Sequence, residues 1–229
     1  MKHIMNVLDT IRKDYDMLLA SSSPRRLEIL QEVLGFQNIH IMKPSFEENL
    51  DKKLYKDNPI QYVVDTCKGK STSILEDLKK GRGTAISPKP KIVICADTVV
   101  IDNDNVIYEK PGTKEVQFAT LSKFCDSPHP LRVVTAVNVI LWINNDDYTV
   151  FPFHQTTRVF FDSELPKTVL KSYVESGDGL QVAGGFKIQG FSAVMIKMIE
   201  GDYYNVVGLP ANGTMSQIIK AVAQHSIRR

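Results

Sequence analysis

Helix and strand signals alternate along this chain from end to end, which predicts an α/β or mixed layered fold rather than a bundle or a sandwich. Two further observations support that class. The run KIVICADTVVI at 91–101 is almost continuously apolar and β-branched, the composition of a strand buried on both faces. The segments 131–142 and 149–161 read as long strands joined by the polar turn 144–147, which predicts an antiparallel meander inside the sheet.

The remaining elements follow in order. A short strand at 17–20 leads into a helix with Ser23 as N-cap and Pro24 at the first turn. Leu27, Leu30 and Leu34 share a face of that helix before Gly35 ends it. A short strand precedes Glu47 and Glu48. Asn58 and Pro59 start a helix that runs to Leu78, and the Gly-, Pro- and Lys-rich segment 81–90 predicts an exposed, disordered loop. After the 91–101 strand, a turn at 102–105 leads to a strand at 106–108, and a helix covers 113–124. Ser163 is expected to cap a helix over 166–175. A glycine-rich stretch at 177–190, a strand at 193–199 and a closing helix at 210–224, with Ile218, Ile219 and Val222 inward, complete the chain. No internal repeat or linker divides it.

Composition narrows the function classes. With 229 residues, 43% of them hydrophobic, one large domain or two small lobes can bury a continuous core. The 28 basic and 26 acidic residues are interspersed and leave a formal charge of +2, so no overall field favours nucleic acid or a membrane. Residues 1–16, read as an N-terminal extension, lack the apolar run of a signal peptide, and no stretch is long enough to span a bilayer. Cytosolic residence is the expectation. Cys67, Cys95 and Cys125 are odd in number and widely spaced, so they read as reduced packing residues rather than disulfide or zinc ligands.

Five places can carry chemistry. In LLASSSPRRL, a strand runs into hydroxyls, a proline and two arginines at a helix start. That segment is either an ordinary capped surface helix or an anion site, where Arg25 and Arg26 add forked donors to unpartnered N–H groups. Asp97 interrupts the most apolar strand, a costly place for a carboxylate unless it is paired, holds a cation or acts as a base. Glu48 can offer a hard oxygen ligand, Lys110 a charge on a rigid loop, and Gln189 an amide able to read a base edge; each also has a bland reading as solvated surface. No GxSxG elbow surrounds Ser21, Ser22 and Ser23, so covalent serine catalysis is disfavoured.

Taken in order, LLASSSPRRLEIL, FEENL, YVVDTCKGKS, ADTVV, EKPGT, GGFKIQGFSAVMI and EGDYYNVVGLP resemble the Maf family of nucleoside triphosphate pyrophosphatases over about 190 residues. The resemblance implies a single domain spanning the whole chain. Its fold would be inosine triphosphatase-like, with an elongated mixed β-sheet flanked by helices and two lobes around a central cleft. It also implies hydrolysis of a nucleoside triphosphate to the monophosphate and pyrophosphate with Mg2+ or Mn2+, and a homodimer. Position by position, Asp97 matches the proton acceptor, Ser21, Arg25, Arg26, Lys70 and Lys110 the phosphate-binding set, and Glu48 with Asp97 the metal ligands. The specificity positions read Arg25, Thr98 and Gln189, similar to the branch that acts on dTTP and UTP rather than on 7-methyl-GTP. Segment 124–130 departs from the family pattern. The competing classes are a nucleotide-binding regulator without turnover, which has no need of a base in a buried strand, and a nucleic-acid binder, which the near-neutral charge disfavours.

Overall fold

The apolar run at 91–101 forms the centre of a seven-stranded mixed sheet. A computed structural model describes residues 2–82 and 87–228. In it, β1 (Asp16–Ala20) lies parallel to both β2 (His40–Ile41) and β3 (Lys91–Ile101). From β3 the sheet continues antiparallel through β5 (Leu131–Trp142), β6 (Tyr148–Phe161) and β7 (Ile196–Glu200), and β4 (Ile107–Tyr108) pairs with the end of β3. Both β3 and β5 are buried along nearly their whole length, which is why neither shows a polar alternation.

Helices cover both faces. On one, Leu19, Ile92, Ile94 and Val139 pack with Ile11 of α1 (Lys2–Asp14), with Ile29 and Leu30 in the π-turn that follows α2 (Pro24–Glu28), and with Ile218 and Ala221 of α7 (Ala211–Arg228). On the other, Leu18, Val93, Cys95 and Ile140 pack with Tyr62, Val63, Cys67, Ile74 and Leu78 of α3 (Pro59–Lys79). A third cluster joins Val100, Val133 and Phe161 to Leu121 and Phe124 of α4 (Lys114–Asp126), to Leu170 and Tyr173 of α5 (Lys167–Glu175), and to Phe186. The predicted α/β class with a mixed, helix-flanked sheet is therefore the observed one.

Local punctuation differs in several places. Residues 2–14, read as an extension, form α1, which places Leu8 and Ile11 one turn apart against the core. Ser23 occupies the N-cap position but its side chain makes no cap bond, and its own N–H donates to Ser21 Oγ at 3.1 Å. Asn58 likewise makes no side-chain cap bond to α3. Helix α5 begins after Pro166, not from Ser163. The strand expected at 193–199 is a 3-10 turn over Phe191–Met195 followed by β7. Ile219 points to solvent while Ile218 is buried. The segment Asp202 to Asn205 is a helix start: Asp202 caps α6 (Tyr203–Val207), accepting from the Tyr204 and Asn205 amides. The predicted 81–90 loop falls partly on residues 83–86, which lie outside the described residues. No helix among the described residues is long and apolar enough to cross a membrane.

Candidate active site

Parallel pairing of β1 with β3 decides where the site forms. Ala20 is in register with Cys95, so the chain leaves β1 as Ser21, Ser22 and Ser23 beside the point where β3 continues through Asp97 and Thr98. A cleft of about 660 Å³ opens there. The 21–26 loop, the segment at 43–48 and Lys70 of α3 line it, together with Asp97, Glu109 and Lys110 after β4, residues 181–186 and the 206–208 turn.

Arg26 is buried and each of its three nitrogens donates one bond to the protein. Nε donates to the Gly208 carbonyl at 2.9 Å, Nη1 to Ser21 Oγ at 3.1 Å and Nη2 to Thr98 Oγ1 at 3.0 Å. Burial lowers its pKa, the Asp97 carboxylate opposes this, and a guanidinium remains charged at any physiological pH. Arg26 therefore clamps the serine loop, β3 and the 206–208 turn together while contributing its charge to the cleft. Arg25 is less buried; its Nε donates to the Val207 carbonyl at 3.3 Å. Thr98 Oγ1 also contacts Thr135 Oγ1 at 3.0 Å, so the threonine expected to read substrate is engaged in the clamp.

Asp97 and Lys70 form the buried charged centre, with Lys70 Nζ 2.6 Å from Asp97 Oδ1 and 3.0 Å from Glu48 Oε1. Both Lys70 and Asp97 are over nine-tenths buried, whereas the Glu48 side chain is half exposed. Burial pushes the Asp97 carboxyl above the usual carboxylate range, and Lys70 and Arg26 only partly offset this. The two carboxylates converge on one cationic point. Among the described residues no group of three or more His, Cys, Asp or Glu side chains could hold a metal. The protein therefore offers two hard oxygen donors, a number that suits Mg2+ when substrate phosphates supply others.

The Glu109–Lys110 turn is held from two sides. Tyr62 donates to Glu109 Oε1 at 2.7 Å, and Lys52 pairs with the other carboxylate oxygen. From the glycine-rich loop, the Gly184 N–H donates to the Glu109 carbonyl at 3.0 Å. Gly184 has φ +71°, and a Cβ there would meet Val100, so both conformation and space require glycine. Gln117 secures the same loop by donating to the Gly185 carbonyl at 2.8 Å.

Of the residues singled out from sequence, Ser21, Arg25, Arg26, Glu48, Lys70, Asp97, Thr98 and Lys110 all line this one cleft. Gln189 does not: it is exposed, one residue beyond buried Ile188, and lies outside the lining. Gln181, Phe46 and Glu109 line the cleft without having been singled out. Glu109 stands in the EKPGT segment beside Lys110, so its place was within reach of the sequence.

A profile for Maf-like protein matches residues 16–221. A dTTP/UTP pyrophosphatase of Saccharomyces cerevisiae is 50% identical over 213 residues, covering 91% of each chain. One from Schizosaccharomyces pombe is 36% identical over 215 residues, covering 93% of this chain and 86% of the relative. Among solved structures, a HAM1 protein from Coxiella burnetii aligns over 90% of this chain and 98% of its own at 14% identity, with a TM-score of 0.39. The family match runs from β1 into α7 and so takes in every wall of the cleft, which places this chain in the Maf family.

Proposed function

We propose that this protein hydrolyses dTTP and UTP to the monophosphate and pyrophosphate, with Asp97 as the base. The observation that carries the reading is a buried carboxylate of raised pKa, 2.6 Å from a buried lysine at the floor of a cleft lined by cationic side chains. The names of the two yeast relatives support the substrate class. In the reaction, a water oxygen bonds to the α-phosphorus as its proton passes to Asp97. The bond from that phosphorus to the bridging oxygen breaks, and pyrophosphate leaves with the electron pair. Lys70 holds Asp97 through Oδ1 and leaves Oδ2 for the proton. Arg25, Lys70 and Lys110 offset charge on the triphosphate, and Arg26 fixes the serine loop that receives it.

Glu48 and Asp97 would hold Mg2+ or Mn2+ against the phosphate oxygens. Bound there, the cation would supply positive charge that offsets the charge of the triphosphate and of departing pyrophosphate. The reading includes a homodimer and cytosolic residence. Free, buried Cys67, Cys95 and Cys125 suit a reducing compartment, and exposed Phe191, Val194 and Met198 beside edge strand β7 suit a covered face. Only the family resemblance assigns Gln189 to base selection, since it stands outside the cleft lining; on that assignment Gln189→Glu should lower use of dTTP and UTP relative to purine nucleotides. Unchanged ratios of kcat/KM would remove Gln189 from recognition and turn attention to Gln181. For the reaction itself, pyrophosphate release from dTTP and UTP is the test, and nucleotide binding without release would point to a regulator.

A further inference from the structure

Phe46 belongs to the segment between β2 and the 3-10 turn Lys52–Tyr55, two residues before Glu48, and it lines the cleft. Its ring rests on Gly69 of α3. A Cβ built on Gly69 would lie closer than 3.0 Å to Cε2, Cζ and Cδ2 of that ring. Glycine weakens a helix interior relative to alanine, and Gly69 has no left-handed φ that would call for it. Space for the Phe46 ring is what this glycine supplies. The next residue along the helix is Lys70, whose ammonium meets Glu48 and Asp97.

Among the described residues, few backbone hydrogen bonds hold the strap at 43–50: Asn49 N–H bonds only the nearby Glu47 carbonyl. Glu48 is the one acidic group in the centre that does not come from the sheet, and it is half exposed. Its position over Lys70 therefore depends on what fixes the strap. We propose that Phe46 is a positioning residue whose ring, seated on the bare backbone of Gly69, holds Glu48 over Lys70 and Asp97. The fit of one aromatic ring to one helix glycine thus sets the geometry of the acidic pair. The inference rests on the pyrophosphatase reading for its kinetic consequence, while the seat itself can be read without turnover.

The experiment compares wild type, Gly69→Ala, Phe46→Ala and the double variant in three measurements: thermal unfolding, cleavage by a Glu-specific protease after Glu47 and Glu48, and steady-state hydrolysis of dTTP. Gly69→Ala should leave the unfolding midpoint unlowered, since alanine favours the helix, yet speed cleavage severalfold. It should also lower kcat about tenfold with KM changed less than threefold. Phe46→Ala should lower kcat similarly, and adding Gly69→Ala to it should cost nothing more, because the ring that the methyl displaces is gone. A wild-type kcat in Gly69→Ala, or losses that simply add in the double variant, overturns the proposal even if cleavage accelerates. Unchanged cleavage in both single variants overturns the seat directly. A wild-type protein that releases no pyrophosphate contradicts the pyrophosphatase reading, and the cleavage comparison then still decides the seat.

Discussion

Buried charge in this protein is arranged so that each group has a different burden. Asp97 carries a raised pKa because burial outweighs Lys70 and Arg26. Asp97→Asn should therefore keep the fold and nucleotide binding while kcat falls by about 10²- to 10⁴-fold, the usual range for loss of a positioned base; calorimetric binding with parallel turnover measurements checks both halves. Asp102 is the opposite case. Burial alone would raise its pKa, but Lys123, the Val106 amide and the Tyr108 hydroxyl more than compensate and hold it below the usual range. A carboxyl whose pKa is lower in the folded than in the unfolded protein stabilises above its unfolded value, and that contribution fades as pH falls through the folded one. Denaturant unfolding should show Asp102→Asn less stable than wild type near about pH 7, with the gap narrowing as pH falls below about 4. Arg26→Lys replaces a three-way fork with a point charge. It should cost about 1–3 kcal/mol of unfolding free energy and weaken nucleotide binding, which urea titration and calorimetry would read.

At the scale of elements, the strand-to-helix junction after β1, the long strands β3, β5 and β6 and the helices α3, α4 and α7 were legible. Each is marked by proline, by β-branched runs or by a continuous apolar face. Helix α1 was missed although Ile4, Val7, Leu8 and Ile11 recur in the sequence at the spacing of one helix face, because no cap residue or proline marks its start. Ser23 illustrates a subtler limit: the residue at the cap position was right, but its side chain makes no cap bond, while Ser21 Oγ accepts from the Ser23 N–H and from Arg26 Nη1. Residues 193–195 of the 3-10 turn Phe191–Met195 read as strand because apolar composition alone does not distinguish the two. The glycine-rich loop is where an element-scale prediction belongs. Gly184→Ala forces an L-residue to φ +71° against Val100, so it should destabilise by about 1–3 kcal/mol and also lower turnover by loosening the Glu109–Lys110 turn. Unfolding and kinetics measured together would show the two effects moving as one.

For the whole molecule, the cleft exists because a parallel β1–β3 pair and an antiparallel meander share one sheet, which brings the phosphate loop, the buried base and the lysine turn to one place. Sequence order made the membership of that site legible: eight of its residues were named from motifs alone and all line the cleft. What sequence could not convey was engagement across distant segments. Thr98 and Arg26 are bonded to each other and to residue 208, over 100 positions away, and Gln189 stands outside the lining. Nor could it show that Phe46 needs Gly69, since nothing in either residue's own neighbourhood announces a contact across 23 positions. The most direct test of the account is pyrophosphate release from dTTP, UTP, CTP, GTP and 7-methyl-GTP, with and without Mg2+ or Mn2+, by wild type and Asp97→Asn. The account predicts metal-dependent release favouring dTTP and UTP that is lost in the variant. Release that persists in Asp97→Asn, or binding of these nucleotides with no release by wild type, would contradict it.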